Sequence, residues 1–484
     1  MNPSVIIIGT GFGGIAAAIE LKKAGHDDLV LLEKANEVGG VWRDNTYPGA
    51  ACDVPSPFYS YSFEPNPDWP RRYAPQPQIL EYLKAVADKY DIRRHVRFGC
   101  EVTSGSWSDA DGKWTVRLAS GERLTADVLV PAVGQLSRPA HPAIDGADLF
   151  AGPAFHSATW DHDVKLRGKN VAVIGTGASA IQFIPAIQPK VASMTVFQRT
   201  PPYIVPRWDA PYGARHHRLF RSVPQVQLGE RFGWFAYLEA VTASFVHAPL
   251  LAKAVTAHAR RHTRKQTAAT PGLFEKVWPT YPFGCKRGLL SDTYLPALTQ
   301  PNVTLETTPI QAIEPDGVRT TDGVLHSVDV IIYGTGFTAS AFLAPMEFTG
   351  RDGVPLEKVW ADGARAYYGL TVPDFPNLLI MYGPNTNTGG GSIVYFLETQ
   401  ARYLRNYVDH LARTGRPLVV KPAVEATFDA RIQQRLAESV WTMCSSWYRN
   451  DSGRITANWP GISAEYRHRA VFRPKDYELL MDST

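Results

Sequence analysis

Val5-Ile6-Ile7-Ile8-Gly9-Thr10-Gly11-Phe12-Gly13-Gly14 opens the chain and leads into the helical stretch Ile15 to Lys23, a second apolar run Leu29 to Leu32, and Glu33. An uninterrupted apolar run suits a strand buried on both faces, and a glycine turn feeding a helix returns the chain to a parallel neighbour. Gly9 makes the turn, Gly11 lets the backbone approach a pyrophosphate, and Gly14 allows the helix to pack closely on the strand. The helix N-terminus then offers its N–H groups to the phosphates. Glu33 closes the second strand where a carboxylate can accept both hydroxyls of a ribose, so this nucleotide carries no phosphate there.

The pattern recurs. Asn170-Val171-Ala172-Val173-Ile174 runs into Gly175-Thr176-Gly177-Ala178-Ser179-Ala180, with Ala180 in the third small-residue position, and Arg199 lies 24 residues beyond Gly175 just as Glu33 lies 24 beyond Gly9. A guanidinium has replaced the carboxylate. With Thr200 beside it, Arg199 can grip a ribose 2′-phosphate by charge-assisted hydrogen bonds, which makes the second nucleotide NADP; the plainer reading is a surface arginine. Two such units define the expected fold class, α/β with two Rossmann-like dinucleotide-binding domains.

With 484 residues, 44% hydrophobic and 20% charged, the chain is long enough for two or three globular domains, and disordered and fibrous classes are excluded. A formal charge of +4 suits small polyanionic ligands and gives no case for nucleic acid. The cluster Arg260, Arg261, His262, Arg264, Lys265 reads as a solvated helix face. Cys52, Cys100, Cys285 and Cys444 are scattered, so neither a disulfide framework nor a metal site is expected and a reducing cytoplasm fits. A strand pattern begins almost at once, leaving no room for a signal peptide. Phe232 to Ala252 is the most apolar stretch, but Glu239, His247 and Pro249 interrupt it and favour a buried or amphipathic helix pair over an integral membrane segment.

Between these landmarks, Gly39 to Asp53 is rich in glycine and aromatics, too irregular for helix or strand, and suited to covering something flat. Gln78 to Tyr90 reads as a helix; Val96 to Phe98, Trp114 to Leu118 and Thr125 to Val130 read as strands, ending at Pro131-Ala132-Val133-Gly134. Residues 210 to 280 turn helical and aromatic, through Phe220, Phe232, Trp234, Phe235, Tyr237 and Phe245, either as core or as pocket lining. Tyr281-Pro282-Phe283-Gly284-Cys285-Lys286-Arg287 sets two cations after a Pro and a Gly, as a loop aimed at an anion would. Asp329 to Phe337 is a buried strand with a glycine turn, and Phe375 to Thr386 leads through Gly389-Gly390-Gly391-Ser392 to a helix from Ile393 to Leu411.

The stretch between the fingerprints, Phe150-Ala151-Gly152-Pro153-Ala154-Phe155-His156-Ser157-Ala158-Thr159-Trp160-Asp161, resembles the signature of the type I Baeyer-Villiger monooxygenases, with Phe150, Gly152, His156, Trp160 and Asp161 filling its fixed positions. Read from the residues alone, His156 is a structural or hinge-like histidine. Gly39-Gly40-Val41-Trp42 with Tyr47-Pro48-Gly49 and Asp53 resembles a second signature of that family, although Asp53 also reads as a turn cap. Gly284-Cys285-Lys286-Arg287 is similar to the segment that carries its NADP-binding lysine and catalytic arginine.

The resemblance spans nearly the whole chain and implies a division of labour. Residues 1–140 and 375–484 would bind FAD, 141–210 and 281–374 would bind NADP, and 211–280 would form a helical insertion in the latter. Gly40, Trp42, Tyr47, Asp53, Gln182, Asn385 and Trp459 join the cofactor-binding set, Trp459 on a loop folding over NADP. Lys286 supports the 2′-phosphate, Arg287 faces the flavin and Asp53 positions it. NADPH would reduce FAD, O2 would add at C4a, and the peroxyflavin would convert a ketone to an ester or lactone. The protein would be a monomer or homodimer. A flavin-containing monooxygenase of amines or sulfides is the main rival, a disulfide reductase lacks its cysteine pair, and a silent nucleotide sensor is a third possibility.

Overall fold

The computed structural model describes residues 2–246, 249–450 and 452–480. Its first sheet is wholly parallel, in the order Val96–Arg97, Leu29–Leu32, Val5–Ile8, Val128–Pro131. Ile7 and Leu31 are fully buried in it, as a sheet covered on both faces requires. Helix Phe12–Lys23 packs against helix Ile393–Thr414, so the two ends of the chain share one layer. The second sheet is also wholly parallel, in the order Val303–Glu306, Ser193–Phe197, Asn170–Ile174, Val330–Tyr333, Ala154–His156. These are the two Rossmann-like units expected.

Several boundaries differ from the sequence reading. The run Thr125 to Val130 is two strands: Arg123–Ala126 closes an antiparallel meander with Val102–Ser108 and Lys113–Leu118, whereas Val128–Pro131 joins the first sheet. Asp127 makes the break, because its carboxylate accepts the backbone N–H and hydroxyl of Ser4 at 2.8 and 2.7 Å and turns the chain into the parallel layer. The helix expected from Gln78 begins at Gln76, since a proline fits the first turn, and ends at Lys89. The glycine-rich loop holds one helical turn, Val41–Asp44. Helix Ile393–Thr414 runs past Leu411 to a left-handed Gly415.

Residues 211–280 form helices Ala214–Ser222, Pro224–Val246, Pro249–Thr267 and Leu273–Val277. Only part of their aromatic content is core: Phe220 and Phe245 are buried, Phe232 and Tyr237 are exposed. Among the described residues no single helix is long and apolar enough to cross a membrane, and no group of three or more His, Cys, Asp or Glu is placed to hold a metal.

The expectation of no disulfide fails. Cys285 and Cys444, 159 residues apart in sequence, are bonded, and Cys52 and Cys100 are free. Spacing carries no trace of the pair because the fold, not a local motif, brings the loop before Lys286 against the C-terminal segment.

Candidate active site

The first glycine turn has the open backbone that a pyrophosphate would need. Gly9 has φ +99°, and a Cβ there would stand 2.9 Å from the Ala132 carbonyl. Helix Phe12–Lys23 starts from an extended Gly11 with no side-chain cap, and its first intrahelical bond inside the turn is from Ile15 N–H to Gly11 O at 3.1 Å. Among the described residues the N–H groups of Gly11 to Gly14 make no backbone hydrogen bond outside the helix, which leaves this turn able to take an anion. Gly40 lies against this turn, and a Cβ on it would meet Gly11 Cα at 3.1 Å, so the loop from Gly39 forms the opposite wall. Trp42 donates its indole N–H to Tyr59 at 3.1 Å.

Glu33 is buried and already engaged. One carboxylate oxygen accepts from the Thr10 backbone N–H at 3.1 Å and hydroxyl at 2.7 Å, and the other lies 3.1 Å from Arg43 and accepts the Ala35 N–H at 3.0 Å. A ribose would share this carboxylate with Thr10, a partner that sequence reading missed. Uncapped helix, double-glycine wall and a carboxylate at the end of the second strand fit a dinucleotide flavin.

A half-buried cation stands at the meeting of the two units. Arg287 donates from Nε and Nη2 to the same Asp53 oxygen at 3.0 and 2.7 Å, joining a loop of the second unit to one of the first. The Asp53 carboxylate holds the Arg287 pKa above its already high ordinary value, so the guanidinium is charged at any working pH. Asp53 is placed by Gln182. Its amide oxygen accepts from the Tyr47 hydroxyl at 3.1 Å and Ala51 N–H at 3.2 Å, while its nitrogen donates to Ala51 O at 3.0 Å. Gln182 and Tyr47 therefore clamp the loop before Asp53, and one Gln182 N–H remains for a ligand. Burial pushes the Tyr47 hydroxyl up to about 12, which keeps it a donor. Arg207, unmarked by any motif, donates to Cys52 O at 3.1 Å, and Tyr448 lies against the Arg287 backbone N–H.

Gly175 repeats Gly9, with φ +104° and a Cβ position 2.6 Å from Gly334 O; Gly177 is open on the same side, and Ala180 is buried beside Gly334. Burial, and then the positive charge of Arg199, lowers the Lys286 pKa. Among the described residues neither has a carboxylate at ion-pair distance. Lys286 Nζ lies 5.1 Å from the centre of the Tyr281 ring, and Thr200 follows Arg199 in sequence, so two neighbouring cations without carboxylate partners could receive an anion.

Asn385 and Trp459 are both engaged within the fold. The Asn385 amide donates to Ile455 O and Asn458 O at 2.9 and 3.1 Å, tying its loop to the C-terminal segment. Trp459 is buried, its ring 5.1 Å from Tyr466 and under Arg435, so in this conformation it is packing rather than a surface flap.

In the joining stretch, Ala154–His156 is the edge strand beside Val330–Tyr333, and Gly152 is forced because a Cβ would lie 2.5 Å from Asp329 O. Phe155 packs against Trp160 at 5.2 Å, Phe150 packs onto the second sheet's outer cluster, and Asp161 accepts from Asp163 N–H at 2.9 Å. His156 Nδ1 accepts from Ala158 N–H at 3.0 Å, and its ring lies 5.4 Å from His141. Burial, and then His141, pushes its pKa from 6.5 down to about 4. A histidine depressed in this way binds its proton more readily when unfolded. Its contribution to stability is present above about pH 6.5 and is lost toward pH 4, by up to about 3 kcal/mol. Thermal midpoints across that window should fall accordingly in the wild type and flatten in His156→Gln; parallel slopes would show that another group titrates.

Two parallel sheets, two glycine turns and an arginine–carboxylate pair between them define a two-dinucleotide oxidoreductase. A family model described as pyridine nucleotide-disulphide oxidoreductase matches residues 6–207. A Baeyer-Villiger monooxygenase of Pseudomonas aeruginosa is 43% identical over 98% of this chain and 90% of its own, and one of Streptomyces coelicolor is 42% identical over 96% and 90%. Among solved structures, an oxidized steroid monooxygenase bound to NADP superposes with a TM-score of 0.88 at 30% identity, covering 99% of this chain and 100% of its own. Cyclohexanone monooxygenase from Rhodococcus sp. Phi1 bound to NADP+ gives 0.88 at 28%, covering 99% of each. The chain belongs to the Baeyer-Villiger monooxygenases.

Proposed function

We propose that this chain, with FAD and NADPH bound, inserts one oxygen atom of O2 beside the carbonyl of a ketone to give an ester or lactone. The observation that carries the reading is the Arg287–Asp53 pair, a permanent cation gripped through two nitrogens at the junction of the nucleotide units. Flavin, when bound, supplies hydride acceptance and oxygen activation. Arg287 supplies a fixed positive charge for the anions that oxygenation creates, with no reorganisation when they form. Asp53 aims it, and Gln182 and Tyr47 hold the loop from which Asp53 projects. Lys286 and Arg199 take the 2′-phosphate. Phe245 fills the space beside Gly284 and Gly389, where a Cβ on Gly389 would meet its ring at 2.8 Å, and this helps exclude water.

In this reading 1–140 and 375–484 hold FAD, 141–210 and 281–374 hold NADP, and 211–280 covers the site. We place the enzyme in the cytoplasm, where NADPH is supplied, as a monomer or homodimer. Amine or sulfide oxygenation needs no such arginine. The test is product analysis across cyclic, linear, aryl and steroid ketones beside amines and sulfides. Ester or lactone is expected, and oxygenated nitrogen or sulfur alone would overturn the reading.

A further inference from the structure

Helix Pro224–Val246 has two unlike faces. Inward, Phe235 meets Phe58 at 5.7 Å and Phe245 meets Phe283 at 5.9 Å. Outward, Leu228 and Phe232, one turn apart, are 64% and 67% exposed, and Leu250 beyond the following bend is 79% exposed. Every exposed residue described on this helix is uncharged. A bare apolar stripe of this kind marks an interaction surface.

Charge names the partner. Residues 211–270 hold nine lysines and arginines against two carboxylates, a net +7 in a chain of net +4, which leaves the remainder at −3. Both carboxylates are engaged within the fold: Glu230 accepts from Tyr212, and Glu239 accepts the N–H groups of Ser463 and Ala464 at 2.8 and 2.9 Å. Helix Ala214–Ser222, packed beside the stripe, exposes Arg215 and Arg218, neither with a carboxylate at ion-pair distance among the described residues.

We propose that this face docks on a bilayer surface containing anionic lipid, with Leu228, Phe232 and Leu250 in the acyl boundary and the arginines at the headgroups. A second copy of the chain fits less well, because a two-fold interface would set the unpaired Arg215 and Arg218 of one copy against those of the other. The helix pair Pro224–Phe245 and Leu250–Thr267 is bent by 105°, a shape that lies along a surface. Phe245, in the last turn of the same helix, packs against Phe283 and Gly284 of the Arg287 loop, so an apolar ketone dissolved in the bilayer would enter next to the site. That consequence rests on the proposed function, whereas docking does not.

The experiment is sedimentation of the FAD-loaded full chain with vesicles of phosphatidylglycerol in phosphatidylcholine, and with phosphatidylcholine alone. Binding to the anionic vesicles, weakened by salt, is expected. Arg215→Glu with Arg218→Glu should lower it by about tenfold or more, and Leu228→Ser with Phe232→Ser should lose it, with bound-flavin absorbance unchanged in both. No binding, or equal binding to both vesicles, would overturn the proposal. So would a dimer in light scattering that Phe232→Ser dissociates, since the face would then be a self-interface.

Discussion

Arg287→Ala should retain flavin and accept hydride from NADPH, yet lose ester formation by roughly three powers of ten. The two half-reactions ask different things of the site. Reduction needs the nicotinamide and flavin aligned, whereas oxygenation develops negative charge that exists only after O2 has reacted, so removing the cation strikes the second alone. Unit charges about 4 Å apart at an effective dielectric of about 20 interact by about 4 kcal/mol, which accounts for that factor. Asp53→Ala should fall the same way but less far. It removes the two-bond grip at 3.0 and 2.7 Å and leaves the guanidinium, which is charged without its partner. Following NADPH, hydrogen peroxide and ester together separates the steps. Oxidation of NADPH should continue in Arg287→Ala with peroxide replacing ester, and near-normal ester yield would remove Arg287 from the chemistry.

What was legible in the sequence was whatever is enforced locally. Gly9 and Gly175 sit at positive φ against a carbonyl, and no side chain fits there, so the glycine turns announced both parallel sheets. Glu33 and Arg199 follow at fixed distance because strand, helix and strand have set lengths. Long-range contacts left less. The cross-unit bonds of Gln182 and Arg207 to the loop before Asp53 depend on how the two units dock, and no spacing encodes that docking. The Cys285–Cys444 bond was unreadable for the same reason. Asp127, ordinary in sequence, splits an expected strand only because Ser4 arrives beside it. Trp459 stands in a turn-like sequence, and its burial against Tyr466 is set by the C-terminal segment closing on Asn385 and Asn387.

Coenzyme choice should rest on Arg199 and Lys286. Each charge-assisted bond to a 2′-phosphate is worth about 1.5–3 kcal/mol, so Arg199→Ala or Lys286→Met should raise the NADPH constant about tenfold or more and leave the NADH constant nearly unchanged. Removing both should bring the two coenzymes together. A pH signature separates the pair. Lys286 has a lowered pKa, from burial first and Arg199 second, so with rising pH it loses its proton before a solvent-exposed lysine would, whereas the arginine keeps its charge. The NADPH constant of the wild type should therefore climb on the alkaline side while that for NADH stays flat. In Lys286→Met the climb should vanish, and in Arg199→Ala it should move to higher pH, because the cation that depresses Lys286 is gone. Equal loss for both coenzymes in either variant would mean that these side chains shape the common part of the site and do not read the phosphate.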